Sequence, residues 1–185
     1  MGLRFQIEQD HRRCGKGRGS ILKYFLKALS NHGFRAVLLY RIGHVLHEKH
    51  YYHLAGVAER IMFHTCYCQI SAAADIGSGL LIPHTTGLVV GGKTRIGPNC
   101  DLRQNVTFGG NFNKMDGDGR SQPWVEENVS VGAGAVIIGP IKIGANSIIG
   151  ANSVVTRDVP GNTIVSGIPA KVIKTRWDED EKRNL

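Results

Sequence analysis

Hydrophobic and polar residues follow two different periods along this chain. Between residues 20 and 66, apolar side chains recur at the three- and four-residue spacings of amphipathic helices. Ser20 stands where an N-cap is expected, and the sequence SNHG at 30–33 interrupts the helical pattern. We therefore predict two or three helices here, within a small α-helical N-terminal region that spans residues 1–67.

From residue 68 onward a period of six residues replaces the helical one. Hexads counted from Ile70 each begin with an aliphatic or small residue, namely Ile70, Ile76, Ile82, Leu88, Thr94, Cys100, Val106, Val125, Val131, Ile137, Ile143, Ile149 and Val155. Such repeats are typical of a parallel β-helix, in which each hexad forms one short strand and one corner. We therefore predict a mainly β fold over residues 68–173, with the first residue of each hexad pointing inward.

One long interruption breaks the six-residue repeat. Residues 109–124 have no aliphatic residue at a repeat position and are rich in Gly, Asp and Asn. Long loops on regular scaffolds are usually functional, so we interpret this segment as an active-site loop, with a tolerated insertion as the alternative. The mixed charges of residues 174–185 are typical of a solvated C-terminal tail.

Residues 87–94, GLVVGGKT, match the phosphate-loop pattern G-x-x-x-x-G-K-[ST] of nucleotide-binding proteins. A true phosphate loop opens a helix, but Gly97 and Pro98 follow too soon for one to form. The hexads also run through the match, with Leu88 at an inward position. We therefore expect these glycines to serve a coil of the β-helix, which disfavours a nucleotide-binding protein.

Composition narrows the classes of partner. The net charge of +8 favours anionic partners, such as a phosphate-bearing ligand, nucleic acid or a membrane surface. The four cysteines fit no zinc spacing, so we expect free thiols in a reducing cytoplasm and no metal site. The sequence contains neither a signal-peptide pattern nor a long apolar run, so we expect a cytoplasmic protein.

Several stretches of the chain resemble the hexapeptide-repeat acyltransferase superfamily, and within it the serine acetyltransferase branch. These stretches are AADIGSGLLIPHTTGLVVGG at 73–92, NVTFGG at 105–110, the closing segment at 131–173, and YRIGHVL at 40–46. The resemblance implies a left-handed parallel β-helix. It also implies an acetyl-CoA-dependent O-acetyltransferase that forms a homotrimer, with active sites between adjacent prisms and no nucleic acid as partner.

The resemblance also implies roles for individual residues. His84, in IPHTTG, occupies the position of the general base that takes a proton from an acceptor hydroxyl. Gly109 and Gly110, at the start of the loop, lie where backbone N–H groups could stabilise an oxyanion, which we state as a hypothesis.

Acetyl-CoA is expected along the C-terminal coils of the same groove. By the resemblance, Ala133 and Ala151 approach its pantetheine arm, and Lys171 or Lys174 contacts its phosphates. The alternative for each lysine is an exposed charge with no ligand.

The chain departs from the serine acetyltransferase pattern at three places. That branch has Asp directly before the catalytic His and a second Asp fifteen residues earlier, where this chain has Pro83 and Gln69. It also has an Arg-His pair for the serine carboxylate, where this chain has Ser121 and Gln122. We therefore expect a sugar or surface-polysaccharide hydroxyl as acceptor, with L-serine as the alternative if Arg120 replaces the missing clamp.

A group other than the missing Asp must then orient His84. Asp101 comes eighteen residues after Pro83, so one coil would stack it over Pro83. We predict that Asp101, or Gln69 through its amide oxygen, orients the imidazole. A solvated corner Asp is the alternative.

Two further alternatives remain at this point. A β-helix scaffold without catalysis is conceivable, although His84 and the intact loop argue against it. The basic N-terminal side chains fit either a solvated face or peripheral contact with an anionic membrane; they are Arg12, Arg13, Lys16, Arg18, Lys23 and Lys27.

Overall fold

A computed structural model describes residues 2–15, 20–111, 114–117 and 119–176. The N-terminal part is helical, with α1 (Leu3–Cys14), α2 (Ile21–Ser30), α3 (His32–Glu48) and α4 (Tyr52–Cys66). Ser20 caps α2, because its hydroxyl accepts a hydrogen bond from the Lys23 N–H at 3.4 Å. The predicted break at 30–33 is confirmed, and Asn31 caps α3 there by accepting from the Phe34 N–H at 2.8 Å. Helix α1 was not predicted.

Short strands follow from residue 69. In chain order they are β1 (Gln69–Ile70), β2 (Asp75–Ile76), β3 (Val89–Val90), β4 (Arg95–Ile96), β5 (Asp101–Leu102), β6 (Thr107–Gly109), β7 (Trp124–Val125), β8 (Ser130–Val131), β9 (Val136–Ile138), β10 (Lys142–Ile143), β11 (Ile148–Ile149), β12 (Val154–Val155), β13 (Thr163–Gly167) and β14 (Ala170–Thr175). They form three sheets with the orders β1-β3-β6-β9-β12 (sheet A), β2-β4-β7-β10 (sheet B) and β5-β8-β11-β13-β14 (sheet C). Successive sides fall on A, B and C in turn, with the isolated bridges of Leu81 on sheet C and Val159 on sheet B in place of named strands, so the chain winds as a three-sided coil.

The pairing register shows where the coil departs from regularity. Gln69 pairs with Val89, twenty residues later, and Leu81 pairs with Asp101 at the same separation. Beyond this point Val89 pairs with Thr107, eighteen residues later. The first coil therefore contains two extra residues, and they lie in the corner between Ile82 and Leu88.

This insertion corrects the predicted hexad register in one part of the chain. The inward strand residues there are Val90, Ile96, Leu102 and Phe108, two positions after the predicted ones. The predicted residues are nevertheless buried, because the side chain two positions before each inward strand residue also points inward. They are Leu88, Thr94, Cys100 and Val106. After the loop, the predicted inward residues from Val125 to Val155 coincide with the buried strand positions.

Two buried side chains of α3, Arg41 and Tyr40, fix the helices to the first coil. The guanidinium of Arg41 in α3 donates to both carboxylate oxygens of Asp10 in α1, at 2.8 and 3.1 Å, and also to the carbonyls of Ile76 and Gly77 at 2.5 and 2.6 Å. The Tyr40 hydroxyl donates to the Ala74 carbonyl at 2.8 Å, and burial raises its pKa. These hydrogen bonds hold α1 and α3 against the first coil.

Two further features bear on the sequence predictions. Strand β14 is antiparallel to β13 and continues through Thr175, so the ordered coil extends two residues into the segment predicted as a tail. Residues 177–185 lie outside the described part of the chain. The phosphate-loop match at 87–94 contains β3 and a turn and leads into β4, as the repeat pattern predicted.

Candidate active site

His84 lies in the corner that holds the two inserted residues. We call this the His84 corner; it comprises residues 83–87 and, in the coils stacked on it, residues 103–105, 132–135 and 150–153. The side chain of His84 is exposed, whereas the neighbouring Thr85 is only 4% exposed. Because every other coil turns this corner with fewer residues, the insertion pushes the imidazole outward into solvent, where a substrate can reach it.

Backbone contacts hold the His84 corner rigid. The Gly87 N–H donates to the Tyr67 carbonyl at 2.8 Å, and the Asn105 N–H donates to the Thr86 carbonyl at 2.9 Å. Gly87 has φ +71°, which glycine adopts without strain, and a Cβ at this position would overlap the Asn105 side chain. The imidazole is thus carried by a fixed backbone between α4 and the second coil.

The start of α3 packs directly against this corner. A Cβ on Gly33 would overlap the carbonyl oxygen of Ile82, the residue that precedes Pro83 and His84. Only glycine permits this approach of the helix to the coil. The sequence alone gave no sign of this contact, because SNHG is equally typical of an ordinary helix break.

The predicted stacking of Asp101 over Pro83 is wrong. The two inserted residues shift the register, so that Asp101 pairs with Leu81. Its carboxylate forms an ion pair with Arg13 of α1 and accepts a hydrogen bond from the Ser130 hydroxyl at 3.4 Å. Asp101 therefore joins α1 to sheet C, and nothing in its contacts assigns it to His84.

Gln69 lies at the start of sheet A, exposed, in register with Val89. Its role in orienting His84 stays a prediction. Among the described residues, no side chain hydrogen-bonds to the His84 imidazole.

Arg103 occupies the place that was predicted for Asp101. Continuing the parallel register from Leu81 and Asp101 by two residues aligns Arg103 with Pro83. Arg103 is exposed, and within the described residues its guanidinium has no hydrogen bond or ion pair. A count of eighteen residues per coil hides this alignment, because it places Arg103 two positions past Pro83.

The predicted active-site loop leaves the coil at a different corner, between sheets A and B, which we call the loop corner (residues 91–94 and 109–123). Gly109 ends β6 there, and a Cβ on Gly110 would lie 3.1 Å from the Ser121 carbonyl oxygen, so the two ends of the loop meet. The carboxamide oxygen of Gln122 accepts from the Lys93 N–H at 2.8 Å and from the Thr94 hydroxyl at 3.1 Å. Gln122 thus anchors the loop to the coil below.

Arg120, the other residue predicted to contact the acceptor, is engaged within the loop. Its Nε donates to Asp116 Oδ2 at 2.5 Å, and its guanidinium lies 5.2 Å from the centre of the Trp124 ring. Lys142 lies over the same ring at 5.0 Å. These contacts hold the C-terminal part of the loop, from Asp116 to Arg120, beside Trp124 of β7.

The His84 corner and the loop corner lie at opposite ends of sheet A. Strand β6 begins just after Asn105 at the former corner and ends at Gly109 at the latter. At 3.3 Å per residue, the two corners are roughly 15 Å apart on one prism. Within the part of the loop that the structure describes, one chain alone therefore does not bring His84 and the loop together.

The residues predicted for acetyl-CoA lie on two parts of the later coils. Ala133 and Ala151 stack on the His84 corner, where the Asn152 N–H donates to the Ala133 carbonyl at 2.8 Å. Lys171 and Lys174 lie exposed on β14, in register with Ser166 and Ile164. The alanines thus share one edge of the prism with His84, and the lysines lie on sheet C at its C-terminal end.

The thiols are unsuited to act as nucleophiles. Burial raises the pKa of the Cys68 thiol to about 12 and that of the Cys100 thiol to about 11, so both stay protonated near neutral pH. Burial also raises the pKa of Cys14 and of Cys66. Within the described residues, no three His, Cys, Asp or Glu side chains are placed to share a metal ion.

Comparison with known proteins identifies relatives of this chain. Residues 123–157 match the family described as bacterial transferase hexapeptide (six repeats). The serine acetyltransferase of Salmonella typhimurium is 39% identical over 151 residues, and that of Synechococcus elongatus is 38% identical over 145. These alignments cover 82% and 76% of this chain but 54% and 57% of the relatives, so the chain spans little more than half of their length.

Solved structures agree with the sequence matches. The serine acetyltransferase of Neisseria gonorrhoeae, in complex with serine, superposes with a TM-score of 0.81 at 33% identity, over 93% of this chain and 69% of that one. The soybean enzyme, also complexed with serine, superposes with a TM-score of 0.80 at 35% identity, over 92% of this chain and 69% of that one.

These relatives contradict one sequence-based prediction. A sugar or surface-polysaccharide hydroxyl was expected as acceptor, because the residues of the serine clamp are missing at 121 and 122. Each relative named above is instead a serine acetyltransferase that matches most of this chain, and the Neisseria gonorrhoeae and soybean enzymes were solved in complex with serine. The prediction of a glycan acceptor is therefore wrong, and the departures at these positions need another explanation.

Proposed function

Because the chain belongs to the serine acetyltransferase-like branch of the hexapeptide-repeat acyltransferases, we propose that it transfers the acetyl group of acetyl-CoA to the hydroxyl of L-serine. The observation that carries this proposal is the 39% identity to a serine acetyltransferase across 82% of the chain. The exposed His84, on a rigid corner, supplies the base that such a reaction requires.

The chemistry assigned to His84 is general base catalysis. Its imidazole takes the proton of the serine hydroxyl as the oxygen attacks the thioester carbonyl, because a neutral alcohol is a weak nucleophile. A carbon–oxygen bond forms, the carbon–sulfur bond then breaks, and the proton passes from the imidazolium to the departing CoA sulfur. The products are O-acetylserine and CoA.

The active site is proposed to form between copies of the chain. His84 and the loop lie at opposite ends of sheet A, so a second prism is needed to place a loop beside His84. A homotrimer of left-handed prisms, as the resemblance implies, would repeat this arrangement three times. Acetyl-CoA would then lie along the edge that contains Ala133 and Ala151, with its phosphates towards the exposed Lys171 and Lys174 on β14.

The test of this function is acetyl transfer to a panel of acceptors. We expect loss of the thioester absorbance of acetyl-CoA with L-serine, weaker turnover with D-serine and serinamide, and none with acetylatable oligosaccharides. Formation of O-acetylserine would be verified by mass spectrometry. Turnover of the oligosaccharides with none of L-serine would overturn the proposal.

Arg103 is proposed to bind the serine carboxylate in place of the missing clamp. It is an exposed arginine without a partner among the described residues, aligned with Pro83 at the His84 corner. A guanidinium can bind a carboxylate through two hydrogen bonds, which a neutral side chain at 121 cannot do.

Substitution of this residue gives a sharp prediction. Arg103→Ala is expected to raise KM for L-serine by about 10- to 100-fold with little change in kcat, since it removes charged hydrogen bonds made equally in ground and transition states. Steady-state kinetics would measure this, with Arg95→Ala, an exposed arginine on sheet B, as the matched control. Serinamide, which lacks the carboxylate, should not distinguish Arg103→Ala from wild type. An unchanged KM for L-serine would remove Arg103 from the site.

A further inference from the structure

Helix α2 presents an apolar face that the rest of the chain does not cover. Its exposed members are Ile21, Leu22, Phe25, Leu26 and Leu29, each between 54 and 85% exposed. Their spacing places all five on one side of the helix. Soluble monomers rarely expose contiguous apolar patches larger than a few hundred Å², so a surface of this kind indicates a binding partner.

The position of α2 is fixed by its opposite side. Tyr24 packs edge-on against His11 of α1 at 5.0 Å between ring centroids, and Ala28 is buried. Arg35 of α3 donates to the last carbonyls of α2, those of Ala28 and Leu29, at 2.7 and 2.8 Å. The apolar face therefore points away from the protein because the other face is held in place.

Apolar surface continues on both sides of α2. A groove of about 350 Å³ between α1, α2 and α3 is lined by Leu3, Ile7, Ile21, Phe25 and Leu38. A second, of about 390 Å³ between α2, α3 and α4, is lined by Phe25, Leu29, Leu39, Ile42 and Ile61. The exposed face of α2 is thus the ridge of a broader apolar surface.

The positive charge of the protein is concentrated in the same region. Residues 1–67 contain 11 Lys and Arg against 4 Asp and Glu, a net charge of +7, whereas residues 68–185 contain 12 against 11, a net charge of +1. Helix α2 itself contains Lys23 and Lys27 and no acidic residue. Lys23 is exposed and lies one turn before Leu26, at the edge of the apolar face. Lys27 is half-buried on another side of the helix, where it interacts electrostatically with Cys14 of α1.

We propose that α2 docks the protein on the surface of a membrane that contains anionic lipids. Apolar side chains on one side of a helix enter the boundary between headgroups and acyl chains, while flanking lysines bind anionic headgroups. No helix within the described residues has the length and hydrophobicity to cross a membrane, so the contact is peripheral. This inference does not depend on the acceptor proposed above.

Charge decides between a membrane and a second copy of the chain. A dimer formed through α2 would bring two helical regions of net charge +7 together, which costs free energy through like-charge repulsion. Binding to an anionic bilayer is instead favoured by the same charges, because they attract the lipid headgroups. Of the other basic residues predicted to take part, Arg12 and Arg13 are paired with Glu8 and Asp101, and Lys16 and Arg18 lie outside the described residues.

Vesicle sedimentation of the full chain tests the proposal. We expect co-sedimentation with vesicles of phosphatidylcholine containing 30% phosphatidylglycerol, about tenfold or more above that with phosphatidylcholine alone. Binding should decline as the salt concentration rises, because counterions screen the lysines. Failure to bind the anionic vesicles would overturn the proposal.

Two pairs of variants separate the apolar and the electrostatic contributions. The double variant F25S/L26S should lose most vesicle binding, whereas Val172→Ser, which alters an apolar side chain 51% exposed on β14, should bind as wild type. The double variant K23E/K27E should also lose binding. K49E/R60E, which changes the net charge equally at exposed sites off α2, should retain more binding.

Two results would contradict docking through α2. One is equal vesicle binding by F25S/L26S and wild type. The other is a change of oligomeric mass in F25S/L26S, measured by sedimentation velocity without vesicles, which would identify the face as an interface between copies. Turnover of acetyl-CoA and L-serine without vesicles, expected to be unchanged in F25S/L26S, keeps this test separate from that of the catalytic function.

Discussion

Replacement of His84 by alanine is expected to lower kcat with L-serine by about 100- to 10,000-fold, the usual contribution of a positioned general base. The residue is exposed at the one corner that is lengthened by two residues, and no other histidine of the chain lies in the coil. The binding of acetyl-CoA should change little, because the imidazole acts on the acceptor hydroxyl. Steady-state turnover and calorimetric titration with CoA would measure the two effects.

Controls for this variant come from the same chain. His53→Ala removes an exposed histidine of α4 and should leave turnover unchanged. The thermal midpoint of His84→Ala should match that of wild type, because the backbone of Thr86 and Gly87, not the imidazole, makes the corner's hydrogen bonds. Residual turnover within threefold of wild type would show that His84 is not the base.

The second large effect is expected for Asp10→Ala, which should lower the free energy of unfolding by about 3–5 kcal/mol. Asp10 and Arg41 are both fully buried, so the variant leaves the guanidinium charge without its counterion in the protein interior. It also leaves the Leu80 N–H, which donates to Asp10 at 2.9 Å, without an acceptor. Urea denaturation followed by circular dichroism would measure the loss.

A second ion pair of α1 gives the matched control. Glu8 pairs with the exposed Arg12 at 2.7 Å, and Glu8→Ala should cost less than about 1 kcal/mol, because solvent already screens that pair. In a double-mutant cycle, D10A/R41M should be more stable than Asp10→Ala alone, since the methionine removes the buried charge. Equal losses for Asp10→Ala and Glu8→Ala would mean that the buried pair is not what attaches α1.

Most of the fold could be predicted from the sequence, because each turn of the coil repeats the same six-residue pattern. Thirteen hexad positions, each occupied by an aliphatic or small residue, sufficed to indicate a coiled β-structure, and they are buried. The helical spacing over 20–66 and the cap at Ser20 were likewise sufficient to predict helices in that part of the chain. Helix α1 escaped prediction because its attachment rests on Asp10, a polar residue whose partner is thirty-one positions away.

The site was less accessible to sequence reasoning than the fold. His84 became the candidate base through its motif, whereas Asp101 was placed over Pro83 by counting eighteen residues per coil. Because of two extra residues between Ile82 and Leu88, the residues that precede them in the first coil pair with partners twenty positions later instead of eighteen. The shift is hidden in the sequence, because both candidate inward columns of the next coil are largely apolar. Arg103, rather than Asp101, consequently shares the edge with Pro83.

By itself the sequence determined the two regions of the chain, the inward-facing aliphatic columns and the loop of 109–124, because each depends on local spacing along the chain. A local motif also made His84 the candidate base. Only the tertiary structure decided that Gln122 anchors the loop, that Gly33 approaches Ile82, and that Arg41 is buried against Asp10. These contacts join residues about thirty to fifty positions apart. Their partners are chosen by the geometry of packing, which no local pattern records.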